Sequence, residues 1–329
     1  MDWGNRKDIL VFLEQKEGNI VNVGLESLTP AHTLAQLTGG KVLALLIGKD
    51  NGAEADKAAT MADGVISVEG DAFAEGAADA AVYALEEIVK KYNPAAVLTG
   101  NTPFARELSA RLAAQLKTGT VQDVMALNVE DGTPVWTVPV YGGTVLEDTV
   151  VDTLPIVAVT RSGAFSKPQA GAAAQVTKET VEVPADAVKA KVLEAVKEIS
   201  EAVNLEEAKV IVNGGRGMGS KQNFKLVEDL AELLGGMVGA TRPVTEEGWA
   251  SRAHQVGQSG KIVAPALYIG CGVSGATQHV SGITNSGYIV AINKDEDAPI
   301  FDVADVGIVG DCMKVLPVMI EEIKKRKAE

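Results

Sequence analysis

Ala266-Leu267-Tyr268-Ile269-Gly270-Cys271-Gly272-Val273-Ser274-Gly275 reads as a buried strand running into a glycine-rich turn. The turn fits the spacing G-x-G-x-x-G, and the pattern predicts that a helix opens there. The flanking sequence supplies further units of the same kind. Upstream, Val210-Ile211-Val212 runs into Asn213-Gly214-Gly215-Arg216-Gly217-Met218-Gly219, and a helix is expected over Lys221–Leu234. Met237–Ala240 reads as a short strand followed by a long polar stretch. Downstream, 288–292 is a strand ending at Asn293-Lys294-Asp295, Val306–Val309 is the last strand, and 311–325 is the last helix. Strands alternating with helices imply a parallel sheet with helices packed on it. The C-terminal half is therefore predicted to be a doubly wound α/β domain.

The first half repeats the alternation. Strands are read at 9–13, 42–47, 65–68 and 95–98, with an Ala-rich helix at 77–92 and another helix at 106–116. This gives an N-terminal parallel-sheet α/β domain. The texture then changes. Stretches 121–129 and 135–159 are rich in Val and Thr, with turns at Asp131-Gly132 and Gly142-Gly143, and read as an antiparallel ribbon added to the sheet. A loop is expected over 162–174 and a helix over 187–202, which places the domains at 1–203 and 204–329.

Composition agrees with this size and class. At about 150 residues per domain, 329 residues make about two domains. Acidic residues outnumber basic ones 44 to 30, a net charge of −14. That argues against a nucleic-acid binder, which needs a basic face, and against docking on anionic lipid. The longest purely apolar runs, such as 42–47, fall far short of the about 20 residues of a membrane helix. Met1 to Asp8 contains no apolar signal core. Cys271 and Cys312 form no C-x-x-C pair, and His32, His254 and His279 form no H-E-x-x-H, so neither a disulfide framework nor a structural metal is expected. The expectation is a soluble, cytoplasmic protein without membrane insertion.

Several residues carry candidate chemistry. Glycines at Gly270, Gly272 and Gly275 would let a backbone approach a pyrophosphate, with a helix N-terminus offering free N–H groups. The alternative is a plain strand–helix turn. A dinucleotide site expects an acid about 20 residues on. Asn293 stands there, with Asp295 just after, which departs from an NAD-type ribose contact. In the Gly214–Gly219 turn, Arg216 either pairs with a phosphate or carboxylate or is a surface residue. Thr241-Arg242-Pro243 and Gln255-Val256-Gly257-Gln258-Ser259-Gly260-Lys261 follow a strand's C-terminal end, where open α/β sheets bind ligands. A solvated connection is the other reading. His279 is either a ligand or a capping group, and Asp311 either an N-cap or a ribose contact. G-x-S-x-G and the phosphate-binding G-x-x-x-x-G-K-[ST] loop are both absent.

Taken together, a set of motifs is similar to the electron transfer flavoprotein α subunit. These are Gly214-Gly215-Arg216-Gly217, Lys225-Leu226, Ala240-Thr241-Arg242, the run from Val256 to Pro265, Leu267-Tyr268-Ile269, Ser274-Gly275-Ala276-Thr277-Gln278-His279, the run from Val290 to Asp295, and Ala298-Pro299-Ile300-Phe301. The likeness is dense from about 209 onward. In the first half it is looser, resting on layout, Arg106 and Thr160-Arg161-Ser162-Gly163-Ala164-Phe165.

The resemblance implies an N-terminal domain that pairs with a β subunit and a C-terminal FAD domain of the deoxyhypusine-synthase-like type. It implies FAD, held without a covalent bond, in an electron carrier serving an acyl-CoA dehydrogenase or related flavoenzyme, as in fatty acid β-oxidation. By position, Arg216 falls at the flavin-binding turn, with Thr241 and Arg242 beside the ring. Val256, Gly257, Gln258 and Ser259 wrap the ring and ribityl chain. Ser274, Gly275, Ala276, Thr277, Gln278 and His279 hold the phosphates and pyrimidine side, and Asn293 and Asp311 the adenosine. Arg242 and a donating His279 would stabilise the charge that a reduced ring carries. Ser259 stands where many family members have Thr, at the ring N5. Ser259 and Thr241-Arg242-Pro243 also resemble members that bifurcate electrons from NADH. Gly272 belongs to the expected pyrophosphate cradle. The contrasting reading is an NAD(P)- or nucleotide-binding regulatory module.

Overall fold

The computed structural model describes residues 1–73, 77–190 and 204–328. It forms two compact units, Met1–Pro139 with Leu146–Val196, and Val140–Val145 with Lys197–Glu329.

The first unit begins with β1 (Ile9–Phe12), a small hairpin of β2 (Gln15–Lys16) and β3 (Asn19–Ile20), and helices α1 (Asn22–Glu26) and α2 (Leu28–Thr38). It continues through β4 (Val42–Gly48), α3 (Gly52–Ala59), β5 (Gly64–Glu69), α4 (Ala78–Tyr92), β6 (Ala96–Gly100) and α5 (Pro103–Leu116). Then come β7 (Thr120–Val124), β8 (Ala126–Glu130), β9 (Thr133–Val140), β10 (Val145–Thr149), β11 (Ile156–Thr160) and β12 (Val176–Glu179). Seven strands make a sheet in the order β12-β5-β4-β1-β6-β11-β7, parallel throughout. The central strands have near-continuous apolar sequences because helices bury both faces. One core lies under α2 and α3, the other under α4 and α5.

The expected ribbon is real but does not extend this sheet. β8, β9 and β10 form a separate three-stranded sheet, with β8 antiparallel to β9. β8 and β10 are largely exposed, so they lack the two apolar faces that a strand inside the parallel sheet needs. β11, with all five residues buried, returns to the large sheet. The helix expected over 187–202 falls mostly outside the described residues; Ala185–Ala187 is a single 3₁₀ turn.

The second unit holds β13 (Val210–Gly214), α6 (Lys221–Leu234), β14 (Met237–Ala240), α7 (Arg242–Glu246), β15 (Leu267–Cys271), α8 (Thr277–Val280), β16 (Ile289–Asn293), β17 (Val306–Val309) and α9 (Cys312–Ala328). Its sheet is parallel in the order β14-β13-β15-β16-β17. Numbered from the unit's first strand, that is the doubly wound order 2-1-3-4-5, whose direction reverses between β13 and β15. Helices α6 and α9 cover one face. The other face is closed by Val256, Val263, Val273, Ile283 and Ile300, which come from loops and short turns rather than full helices.

Candidate functional site

Two glycine turns meet where the strand order reverses. The turn after β13 and the turn after β15 pack backbone against backbone: Gly217 N–H donates to the Gly272 carbonyl at 3.0 Å, and Gly215 N–H to the Cys271 carbonyl at 2.8 Å. A Cβ on Gly215 would lie 2.2 Å from the Gly272 oxygen, and one on Gly217 2.7 Å from it. Here the expectation from G-x-G-x-x-G needs correction. Gly270 sits inside β15, Gly272 and Gly275 have left-handed φ of +64° and +87°, and the helix that comes next, α8, is only four residues long. Those φ values break a right-handed helix. Gly275 is needed because a Cβ there would stand 2.1 Å from the Ile300 backbone nitrogen.

The turns floor a cleft of ≈ 730 Å³, within the range of about 300–1,000 Å³ usual for small-molecule sites. Arg216, Thr241, Arg242, Val256, Gly257, Gln258, Ser259, Gly272, Ser274, Ala276, Gln278, His279, Asn293 and Asp311 all line it. Of the expected residues, Gly275 and Thr277 do not. Gly275 turns to Ile300, and Thr277 faces Gly142, whose added Cβ would be 3.2 Å from Thr277 Cγ2. The lining also takes in Gly215, Gly217, Pro243, Val273, Lys294, Asp295 and Cys312, of which the first four lie in stretches that the sequence had already singled out, though with no contact of their own. For Lys294, Asp295 and Cys312 the available signal was adjacency to Asn293 and Asp311 at strand ends.

Charge in the cleft runs against the rest of the chain. Three cations, Arg216, Arg242 and Lys294, face two carboxylates, Asp295 and Asp311, in a protein whose net charge is −14. Arg242 is held by Glu246 at 2.7 Å. Asp311 is already engaged as a cap, since its Oδ1 accepts the Met313 N–H at 2.9 Å at the start of α9. Asn293 is a turn residue: its Nδ2 donates to the Val273 carbonyl at 2.8 Å, and its Oδ1 accepts the Asp295 N–H at 3.0 Å.

His279 is buried, and both its ring nitrogens face protein. Nδ1 lies 3.1 Å from the Val256 carbonyl and Nε2 2.7 Å from the Tyr268 hydroxyl. A carbonyl only accepts, so Nδ1 carries the proton and Nε2 accepts from Tyr268. In this arrangement neither nitrogen is left to donate into the cleft. Burial pushes the imidazole down to about 4, against a hydrogen bond to Val256 that raises it. The unfolded chain protonates this residue near 6.5 and the folded chain only near 4. The stability it contributes is therefore complete above the unfolded value and is lost as pH falls through the folded one. Denaturant melts from pH 7 to 4.5 are expected to show wild type losing about 2–3 kcal/mol more than His279→Gln. Equal losses would remove this assignment.

Comparison with known proteins places these segments. Residues 9–186 match the family model described as "Electron transfer flavoprotein domain", and residues 204–284 match "Electron transfer flavoprotein FAD-binding domain". The chain is 41% identical to the electron transfer flavoprotein subunit alpha of Thermoanaerobacterium thermosaccharolyticum, over 98% of this chain and 99% of that one. It is 42% identical to the protein of the same name from Megasphaera elsdenii, over 99% of both chains. It is 34% identical to the acryloyl-CoA reductase electron transfer subunit beta of Anaerotignum propionicum, over 99% of this chain and 98% of that one.

Proposed function

The chain belongs to the electron transfer flavoprotein family, as an α subunit that binds FAD, and on that premise we propose that the cleft between β13 and β15 holds the FAD. The observation that carries this reading is the set of three cations along one edge of the sheet, Arg216 and Arg242 inside the segment matched as FAD-binding and Lys294 just beyond it. The donor set fits such a group. A pyrophosphate is a dianion, and Arg216 and Lys294 supply matching charge beside turns that no side chain obstructs. The N-terminus of α9, whose first residue Cys312 and cap Asp311 line the cleft, adds a partial positive end.

Bound FAD supplies one- and two-electron chemistry through its ring. The chain's residues bind, orient and shield it. Arg242 places a permanent cation at the cleft, tempered by Glu246. His279 gives a neutral wall. Val256 and Val273 add apolar lining that excludes water. No helix among the described residues is long and apolar enough to cross a membrane.

The protein pairs, in this reading, with a β subunit through its N-terminal unit. It passes electrons to or from an acyl-CoA dehydrogenase or reductase in the cytoplasm. The likeness to an acryloyl-CoA reductase electron transfer subunit supports a flavoenzyme partner of that kind. NADH-dependent bifurcation is an extension of the same role. Purification with the β subunit is expected to give a yellow complex with one FAD per α chain. A second FAD on the β subunit would mark a bifurcating complex, and AMP in its place a simple carrier. A complex that stays colourless after reconstitution with FAD would overturn the reading.

A further inference from the structure

We propose that Gln255 is a positioning residue that holds the Ser259 hydroxyl as a hydrogen-bond donor aimed into the cleft, at the FAD ring. The proposal rests on the reading that FAD occupies this cleft.

Gln255 does not line the cleft, and it is only 3% exposed. A buried primary amide is costly unless its groups are paired, and this one is. Its Oε1 accepts the Thr245 hydroxyl at 2.9 Å. Its Nε2 donates at 3.0 Å to the Ser259 main-chain oxygen and at 3.0 Å to Ser259 Oγ. Amide orientation is often ambiguous, but chemistry settles it here. The Ser259 main-chain oxygen can only accept, so the group facing it must be the NH₂. The amide has two hydrogens, one for each Ser259 oxygen.

The consequence falls on Ser259. Its Oγ accepts from Gln255, so its own proton must point elsewhere. Among the described residues that hydroxyl makes no other hydrogen bond. Ser259 is exposed and lines the cleft, with Gln255 behind it. The Gln255 bond takes one of the two lone pairs on Oγ and keeps the proton from turning back, so the proton is left free for the cleft. What that proton recognises is a lone pair, such as an unprotonated ring nitrogen.

The same amide links two sides of the site. Thr245 lies on α7, and its one hydroxyl proton is shared between Gln255 Oε1 and the Arg242 carbonyl, each 2.9 Å away. Main-chain bonds anchor Gln255 in turn: Lys261 N–H donates to its carbonyl at 2.8 Å, and its own N–H reaches the Arg252 carbonyl at 3.1 Å. Thr245, Gln255 and Ser259 thus form one chain from the helix carrying Arg242 to the hydroxyl.

The test compares FAD with 5-deaza-FAD, which has a C–H where FAD has N5 and so offers no lone pair there. Dissociation constants are measured on the full chain in complex with its β subunit. Wild type is expected to prefer FAD by about tenfold, the worth of one hydrogen bond. Ser259→Ala should bind both flavins equally. Gln255→Glu keeps shape but reverses the polarity, so the Ser259 proton turns back to the carboxylate and the preference should vanish with Ser259 intact. Gln255→Met, which removes the donor without adding charge, should retain less than a third of the preference and serves if the Glu variant does not fold. General loosening of the loop would weaken both flavins alike and leave the ratio unmoved. A wild-type ratio of one, or a wild-type ratio persisting in the folded Gln255 variants, would overturn the proposal. A wild-type complex that binds neither flavin would overturn the functional reading, and the proposal with it.

Discussion

Gly272→Val is expected to empty the cleft, leaving less than a tenth of the wild-type FAD on the purified complex and lowering the melting temperature by about 10 °C. Two separate strains meet at this residue. Its φ is +64°, a left-handed conformation that a β-branched side chain resists by about 1–3 kcal/mol. Its Cβ would also stand 2.8 Å from the Gly217 carbonyl carbon and 2.9 Å from the Met218 nitrogen. These are backbone atoms with no rotamer to yield, and such overpacking adds about 1–3 kcal/mol. Relief would push the β13 turn away, and with it Arg216. Gly235→Val separates the two strains. Gly235 has a φ of +65° but nothing within 4 Å of an added Cβ. It should therefore show only the conformational part of the loss and keep its flavin. A Gly272→Val complex with full FAD would show that the two turns do not need each other.

This result bears on what the sequence could reveal. The glycines of G-x-G-x-x-G were visible and their neighbourhood was right, but the pattern alone does not say what the missing side chains make room for. In this chain the room is filled by a second glycine turn and by Ile300, both contacts between residues far apart in sequence. A helix opening was the local reading, and tertiary packing displaced it. The same limit appears in the first unit. β12 was not read as a strand, because Val176–Glu179 is half exposed and edge strands lack the continuous apolar run that marks β1 or β4. Conversely, β13 to β17 were legible because each is a short apolar run ending at turn residues.

Within the site, Val256 to Ser259 stood out as polar and glycine-bearing at a strand's C-terminal edge, and they do line the cleft. Gln255 opens the same polar stretch and was read with it, yet it does not line the cleft; what distinguishes it is burial and the direction of its amide. His279 shows the opposite case. It was conspicuous as one of few histidines, yet its hydrogen-bonding capacity is taken up by Tyr268 and Val256. Sequence showed the residue type but not which way the ring faces.

Arg216→Glu is expected to weaken FAD binding about 100-fold without lowering the melting temperature of the flavin-free complex. The guanidinium is exposed at the cleft, and among the described residues no carboxylate pairs with it. The fold therefore loses no ion pair. The ligand loses a charge-assisted donor and meets a like charge instead. Unit charges about 4 Å apart interact by about 4 kcal/mol at the effective dielectric of a protein surface, and solvent screening reduces this. A net loss of about 2.7 kcal/mol corresponds to the 100-fold change. Salt gives the decisive control. Because the effect is electrostatic, the gap between wild type and variant should narrow between 50 and 500 mM salt, as the screening length falls from about 14 Å toward 4 Å. Lys225→Glu changes net charge equally but lies on α6, among Glu228 at 3.3 Å and Asp229 at 3.0 Å. It does not line the cleft, so its affinity for FAD should stay within about twofold of wild type. If Lys225→Glu weakened FAD as much as Arg216→Glu, the overall charge would be responsible, and Arg216 would have no particular place in holding the cofactor.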